Sequence, residues 1–333
     1  MADSYVAETY SRENEKIWDE FVKINSVNGT FLHTRRFLNY HPEGRFEDCS
    51  LLVRDKNQKL AAVVPGCIQC EDGIKLFYSH KGSTFGGPVI SPDAYFAESL
   101  AEIVECVQEY LKTKGFQRII YKITPDIFST EKNDLLEYIL YYEGYAEQKE
   151  LNLYIDYDAY DEDTIKMVSR RKRRSILCCA DAGLKLRPLA SDEEICQLHH
   201  ILELSLQKYS LKPIHTPLEM IRFRDVVIPE ECGFYGLFLE DRMVAGAMMF
   251  YFHNASTAHA QNICALPEYN KKLSPSTYMF FSMIEEMRRK GFRRLSWGIS
   301  SEHGGKEINW GITQSKEEYG SRHAVNRIFS KML

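Results

Sequence analysis

The stretch KGFQRIIYKI, from Lys114 to Ile123, and the stretch KGFRRLSWGI, from Lys290 to Ile299, are nearly the same ten residues. Such self-similarity is tested first because an internal duplication decides the architecture of the whole chain. In both copies a basic residue and a glycine precede an apolar run, a pattern typical of a helix end followed by a strand. The sequence therefore predicts two copies of one structural unit.

The residues ahead of each copy predict an amphipathic helix. Apolar side chains recur at helical spacing from Ala97 to Lys114 and from Pro275 to Lys290. Gly115 and Gly291 follow these segments, and glycine ends a helix readily because it adopts the left-handed conformation without a Cβ clash. Each copy is thus expected to run from helix to glycine to strand.

Two further segments correspond across the two halves of the chain. SLLVRDKNQKLAAVV (Ser50–Val64) and GLFLEDRMVAGAMMF (Gly236–Phe250) each place a polar turn between two apolar runs, which predicts a β-hairpin. The repeated unit is hairpin, further strand, helix and strand. A chain of 333 residues suits two domains. We therefore predict an α/β (α+β) protein with domains at residues 1–160 and 161–333.

Composition indicates a globular protein, with 44% hydrophobic and 27% charged residues. No apolar run approaches the roughly 20 residues that span a bilayer, and the N-terminal stretch lacks the apolar core of a secretory signal. Nine cysteines without a second C-x-x-C pair favour reduced thiols over disulfides or zinc. The sequence predicts a cytoplasmic protein without a metal site.

Charge is concentrated where the two halves meet. DYDAYDED (Asp156–Asp163) is followed by RRKRR (Arg170–Arg174), inside a helix expected from Ile165 to Gly183. Charge runs usually form a solvated helical face. Five consecutive cations also suit a phosphate-binding strip, because their mutual repulsion must be offset by anions. Both interpretations stay open at this point.

Four more stretches occur in a fixed order: GTFLHTRRFL (Gly29–Leu38), GSTFGGPVI (Gly82–Ile90), SRRKRRSILCCADAGLKL (Ser169–Leu186) and NWGITQSKEEYGSR (Asn309–Arg322). With the repeat, they resemble the tandem-GNAT, FemABX-like (peptidyltransferase-like) group of the GNAT acyltransferase superfamily. The resemblance covers nearly the whole chain. It implies two tandem GNAT-like domains, each a mixed, mostly antiparallel sheet flanked by helices, with a basic helix opening the second domain.

The resemblance implies a donor site at the start of the second repeated helix. Ordinary acetyltransferases place a glycine-rich loop there, whereas PEYNKKLSPST (Pro267–Thr277) contains no glycine. Whether the donor is acyl-coenzyme A or aminoacyl-tRNA therefore stays open, and no tightly bound cofactor is expected. A helix N-terminus and nearby cations suit donor phosphates, and the candidate ligands are Lys271, Lys272, Ser276, Thr277, Arg171, Arg173 and Arg174.

Three residues are candidates for catalysis. Lys316 lies in the closing motif, where the resemblance implies a lysine near the reacting carbonyl. Its alternative is an ion pair with a surface carboxylate such as Glu317 or Glu318. Glu302 and His303 follow the second repeat strand, and either suits a general base for the attacking amine.

The acceptor candidates fall into two groups. The resemblance implies that His215, Arg222 and Arg224 hold the phosphates of a nucleotide-linked acceptor. Residues expected to line the acceptor pocket are Tyr209, Gln261, Asn262, Trp297 and Ser300.

Three functions follow. The first is acyl or aminoacyl transfer to an amine of a cell-envelope or polysaccharide precursor. This acceptor would be a small molecule or would be linked to a nucleotide or a lipid. The second is a peptidyltransferase that uses aminoacyl-tRNA. The third is a catalytically silent binding module, because a duplicated fold can keep its shape and lose its chemistry.

Overall fold

The computed structural model describes residues 5–271 and 273–333, without the side chains of residues 270 and 271. The α-helices are α1 (Glu15–Ile24), α2 (Arg35–Leu38), α3 (Ala97–Thr113), α4 (Asp134–Tyr142), α5 (Arg170–Asp181), α6 (Asp192–Gln207), α7 (Pro217–Arg222), α8 (Pro275–Arg289) and α9 (Trp310–Glu317). The strands are β1 (Tyr5–Thr9), β2 (Leu51–Asp55), β3 (Leu60–Val64), β4 (Cys67–Glu71), β5 (Ile74–Ser79), β6 (Val89–Ile90), β7 (Arg118–Lys122), β8 (Ala146–Asp156), β9 (Lys185–Pro188), β10 (Cys232–Leu239), β11 (Arg242–Phe252), β12 (Thr257–Ala265), β13 (Arg294–Ile299), β14 (Ser301–Glu302), β15 (Glu307–Ile308) and β16 (Arg322–Met332).

The chain divides into two compact units. Unit 1 contains the residues up to Glu150 together with His303–Lys306 and Val325–Leu333, and unit 2 contains Leu151–Glu302 and Glu307–Ala324. The boundary predicted after residue 160 falls inside unit 2, because the strand segment that starts unit 2 comes earlier in the sequence.

The helix and strand of each repeat form as predicted. α3 leads through Gly115 into β7, and α8 leads through Gly291 into β13. The two glycines have φ of 74° and 81°. The next amide returns to the helix in both cases, from Phe116 N to Leu111 O at 3.1 Å and from Phe292 N to Met287 O at 3.2 Å. The two helices therefore end with the same hydrogen-bonding pattern.

Unit 1 contains two sheets. In one, β1, β2, β3 and β6 pair antiparallel in that order. In the other, β5 pairs antiparallel with β4 and parallel with β7, and β7 pairs antiparallel with the last part of β16. The apolar face of α3 is buried in the core between the sheets, which includes Leu100, Val104, Phe77 and Phe329.

Among the described residues, the main sheet of unit 2 has the order β8, β13, β12, β11, β10 and β9, and β14 pairs antiparallel with β15 in a separate small sheet. In the main sheet, only β12 and β13 pair parallel, and the remaining pairs are antiparallel. Methionines on α8, among them Met279, Met283 and Met287, are buried in its core. The predicted fold class, with mixed and mostly antiparallel sheets flanked by helices, is confirmed.

Each unit is completed by a strand from a distant part of the sequence. In unit 1, Phe329 lies opposite Tyr121 of β7, although the two residues are far apart in the chain. In unit 2, Ile155 of β8 lies opposite Leu295 of β13. Thus β8, which follows the first repeat, pairs in the sheet of unit 2, and β16, which follows the second repeat, pairs in a sheet of unit 1.

Within the described ranges, no helix has the length and apolar character needed to cross a membrane.

Candidate active site

An opening between two parallel strands marks the site in unit 2. β12 and β13 pair only where Thr257, Ala258 and His259 face residues 294–296. Beyond His259 the described residues of β12 form no further ladder with β13, and β12 continues to Ala265. The edge of β12 beyond His259 thus faces an opening and not a strand ladder with β13.

A bulge shapes β13 at the opening. Its register against β8 shifts between Ser296 and Ile299, and Gly298 in the bulge has a φ of 75°. A Cβ at this position would lie 3.3 Å from Cε1 of His259. Glycine is required here because the left-handed backbone and the close imidazole both disfavour a side chain.

A cavity of about 110 Å³ lies at the end of β12 and the start of α8. Its lining residues are Ser205, Lys208, Ile263, Cys264, Ala265, Pro267, Ser276 and Phe280. Two larger depressions, of about 870 and 720 Å³, are lined partly by residues of α6. The N-terminus of α8 directs its amide groups and positive dipole end toward the region of the smaller cavity.

Lys316 on α9 is buried beside the bulge of β13. Its Nζ donates to Gly298 O, Ile299 O and Ser300 Oγ, each at 2.9 Å. Burial lowers the pKa of Lys316 to about 8. The alternative of a surface ion pair is wrong, because Glu317 pairs with His323 and Glu318 pairs with Arg171.

A row of buried polar side chains adjoins the bulge. The Ser296 hydroxyl donates to Asn152 Oδ1 at 3.3 Å and accepts from Gly298 N at 3.2 Å. Nδ1 of His259 lies 3.2 Å from the same hydroxyl oxygen. Burial, and to a lesser extent the charge of Lys316, lowers the pKa of His259 to about 4, so this imidazole is neutral. These residues were not predicted from the sequence, although polar side chains on otherwise apolar strands are a usable signal.

The start of α8 is held by hydroxyl groups. Ser274 Oγ donates to Thr277 Oγ1 at 2.7 Å, and Tyr319 OH donates to the main-chain oxygen of Thr277 at 3.1 Å. Ser276 lines the cavity. Of the other predicted donor ligands, the side chain of Lys271 and the whole of Lys272 lie outside the described residues.

Comparison with known proteins agrees with this architecture. Residues 167–306 match the acetyltransferase (GNAT) domain family. The crystal structure of FemX superposes with a TM-score of 0.69 at 12% identity, covering 98% of this chain and 97% of that chain. The chain has a tandem GNAT fold. The predicted resemblance to the tandem-GNAT, FemABX-like group is thus confirmed at the level of the fold.

Two further solved structures share the tandem GNAT fold. The C-terminal domain of a putative lysylphosphatidylglycerol synthetase from Agrobacterium fabrum gives a TM-score of 0.58 at 11% identity, covering 96% of this chain and 91% of that chain. A tandem GNAT protein from the clavulanic acid biosynthesis pathway gives 0.56 at 10% identity, covering 98% of each chain. No curated protein sequence matches the chain significantly.

Most of the basic run in α5 contacts its own chain. Arg171 pairs with Glu318 at 2.5 Å, and Lys172 Nζ donates to Ser315 Oγ at 2.9 Å. Arg173 Nη2 donates to Val168 O at 3.0 Å, whereas Arg174 is exposed. These contacts weaken the interpretation of the run as a phosphate-binding strip.

Two of the residues predicted to bind acceptor phosphates, His215 and Arg224, contact other residues of unit 2. Arg224 pairs with Asp192 at 2.6 Å and with Asp225 at 2.5 Å, and hydrogen bonding to Asp225 raises its pKa further. His215 is buried, its carbonyl lies 3.1 Å from Nε2 of His199, and its ring packs against Phe223.

The remaining predicted residues occupy different positions. Trp297 packs against Phe280 with ring centroids 5.0 Å apart, and Ser300 contacts Lys316, so both lie at the opening. Gln261 and Asn262 are half-buried on β12, whereas Arg222 at the end of α7 and Tyr209 after α6 are exposed. The Glu302 carboxylate accepts from Asn309 Nδ2 at 2.6 Å, and His303 belongs to unit 1.

Proposed function

We propose that unit 2 transfers an acyl group to an amine of a cell-envelope or polysaccharide precursor in the cytoplasm. The observation that carries this proposal is the opening between β12 and β13, together with the cavity at the start of α8 and the buried Lys316 beside the β13 bulge. A GNAT acyltransferase fold supplies this arrangement. It lets a donor lie along the β12 edge with its carbonyl near the bulge.

Donor binding depends on the start of α8. Amide groups of its first turn and the dipole end attract phosphate, and Ser276 adds a hydroxyl to the cavity wall. GNAT domains typically use acyl-coenzyme A. The contacts that hold Arg171 and Arg173 leave little to favour an RNA donor. We therefore favour an acyl-coenzyme A donor.

Lys316 contributes positive charge where the oxyanion would form. The charge already stabilises two carbonyl oxygens, of Gly298 and Ile299, at the end of β13. Lys316 Nζ donates three hydrogen bonds, to Gly298 O, Ile299 O and Ser300 Oγ. In the transition state one of these N–H groups would turn to the developing oxyanion, so that the stabilisation arises mainly in the transition state. The neutral amine attacks the acyl carbonyl of the thioester, and collapse of the tetrahedral intermediate breaks the C–S bond, so that coenzyme A leaves as a thiolate and is protonated. Glu302 of unit 2 stays a candidate for accepting the proton that the amine loses.

The acceptor class rests on the fold neighbours. One neighbour is the C-terminal domain of a putative lysylphosphatidylglycerol synthetase, which shares the fold of this chain. The product named for that protein is a lipid that bears an amino acid. This likeness supports an envelope precursor as acceptor and keeps an aminoacyl donor as the second candidate.

Calorimetric titration of the full chain with acetyl-coenzyme A and, separately, with a charged tRNA tests the proposal. We expect acetyl-coenzyme A to bind and Ser276→Glu to weaken binding at least tenfold, because a carboxylate at the α8 N-terminus repels phosphate. Ser99→Glu in the first turn of α3, the related helix of unit 1, is the matched control and should leave binding unchanged. Binding of neither donor by the folded protein would instead support a silent module.

A further inference from the structure

The connection between α6 and α7 exposes a concentration of large apolar side chains. Tyr209 is 62% exposed, Leu211 60%, Ile214 69% and Leu218 66%. Single exposed apolar residues are normal on a protein surface. Four within ten residues form a patch that has to be explained by an interaction.

The charge of this connection is uniformly positive. Lys208 precedes the apolar residues and Lys212 lies among them, and no carboxylate occurs from Lys208 to Leu218, although the chain as a whole has a net charge of −5. Nζ of Lys208 lies 4.7 Å from the centroid of the Tyr209 ring. The segment thus combines apolar side chains with cations, as segments that lie in the headgroup region of a bilayer do.

The shape of the surface agrees with a lipid occupant. An open depression of about 720 Å³ separates the connection from α6, and Leu211 and Pro213 form part of its wall. His199, His200 and Glu203 line the α6 side, and the Glu203 carboxylate lies 3.8 and 3.7 Å from the two histidine rings. An apolar chain entering from a bilayer would find space beside side chains that already face solvent.

We propose that the segment Lys208–Leu218 docks on the surface of an anionic lipid bilayer. Its apolar side chains would enter the headgroup region while the two lysines contact lipid phosphates, and each lysine near such a surface strengthens binding severalfold. A symmetric contact between two copies of the chain is disfavoured, because it would bring the same cations together.

Docking would also orient the candidate active site. Lys208 belongs to the docking segment and lines the cavity at the start of α8. The bilayer surface would therefore lie close to the opening, which suits an acceptor carried by a lipid. This last step rests on the proposed function, whereas bilayer docking itself does not.

Sedimentation of the full chain with vesicles tests the docking. We expect the chain to bind vesicles of phosphatidylcholine with about one third phosphatidylglycerol and to bind pure phosphatidylcholine vesicles far more weakly. Leu211→Ser combined with Ile214→Ser should lower the partition coefficient at least tenfold. Lys212→Gln should lower it about fivefold and reduce its dependence on salt.

The matched control removes exposed apolar side chains elsewhere. Ile24→Ser combined with Leu177→Ser, at side chains 80% and 54% exposed, should leave vesicle binding unchanged. Equal loss in the control, undiminished binding by the Leu211 and Ile214 variant, or no preference of the wild type for anionic vesicles would each overturn the proposal. The proposal would also be overturned if the Leu211 and Ile214 variant still bound vesicles but lost a dimer that the wild type forms in sedimentation velocity, because the patch would then join two copies of the chain.

Circular dichroism of each variant establishes that it is folded. Because the vesicle assay contains neither donor nor acceptor, vesicle binding by a chain that binds no donor would contradict only the proposed function. Donor binding without vesicle binding would contradict only the docking.

Discussion

The two repeats place related strand pairs in opposite states, closed in unit 1 and open in unit 2. In unit 1, β5 pairs with β7 as far as Ser79 and Tyr121, and Gly86 then continues the pairing by bridging Ile123. Its amide donates to Lys122 O at 2.6 Å. In unit 2 the corresponding pairing stops at His259.

Buried side chains fill the closed end in unit 1. His33 accepts from Thr30 N at 3.0 Å, and its Nε2 lies 3.1 Å from Gly86 O. Burial lowers the pKa of His33 to about 4. Phe85 stacks on Phe128 beside it. The same helix and strand pattern thus forms closed core in unit 1 and borders an opening in unit 2, and the segment that carries Gly86 accounts for the difference.

The largest expected effect tests which unit each exchanged strand serves. Phe329→Ala should lower the free energy of unfolding of unit 1 by about 4 kcal/mol, because this buried ring packs in the unit 1 core. Hydrogen exchange of amides in β7 and α3 measures it. Met283→Ala should instead deprotect unit 2. Deprotection confined to unit 2 in the Phe329 variant would contradict the exchange.

The second prediction tests whether the open unit carries the chemistry. Lys316→Met should lower kcat about a hundredfold, near 3 kcal/mol, because the charge beside the reacting carbonyl is lost. It should also lower stability by about 1–3 kcal/mol, since two carbonyls lose their donor. Lys172→Met removes another buried lysine and should affect stability without a comparable loss of kcat. Equal kcat losses would remove Lys316 from the catalytic residues.

The third prediction uses pH to separate the charge of Lys316 from its packing. With a pKa of about 8, Lys316 loses its proton as pH rises, so kcat of the wild type relative to Lys316→Arg should fall about fivefold between pH 8 and pH 9. Stability changes in the opposite sense. The unfolded chain binds the proton more tightly, so the free energy of unfolding should rise from about pH 8 toward the ordinary lysine pKa. A constant kcat ratio would exclude a role for the charge.

The smallest expected effect concerns the basic helix. Arg171→Gln with Arg173→Gln should change donor affinity less than about twofold, because both side chains already bind unit 2. Titrations at two salt concentrations measure it. A salt slope that falls by about 0.7 to 0.9 per substitution would restore the phosphate-binding strip.

Local patterns carried most of what the sequence predicted correctly. The repeated helices, their terminal glycines and both hairpins are confirmed, because each depends on residues close in the chain. The exchange of β8 and β16 was missed, since strand pairing across so long a separation leaves no local periodicity. The register of Ile155 against Leu295 follows from the assembled sheet alone.

The site was less predictable for the same reason. The placement of Lys316 beside Gly298 depends on how α9 packs against β13. Arg224 was selected as a phosphate ligand, although the adjacent Asp225 indicated a local partner, and the more distant Asp192 appears only in the fold. Its role at an acceptor phosphate stays a prediction.

The exchanged strands also determine when each unit can finish folding during translation. Ribosomes add about 5–20 residues each second, and N-terminal domains generally fold while the rest is still being made. Here β7 waits for Val325–Leu333, so its edge stays unpaired for roughly 10 to 40 seconds of elongation. Unit 2 in turn needs residues up to Ala324. The nascent chain therefore completes both units almost together, and an exposed strand edge during that interval is the stage most vulnerable to aggregation.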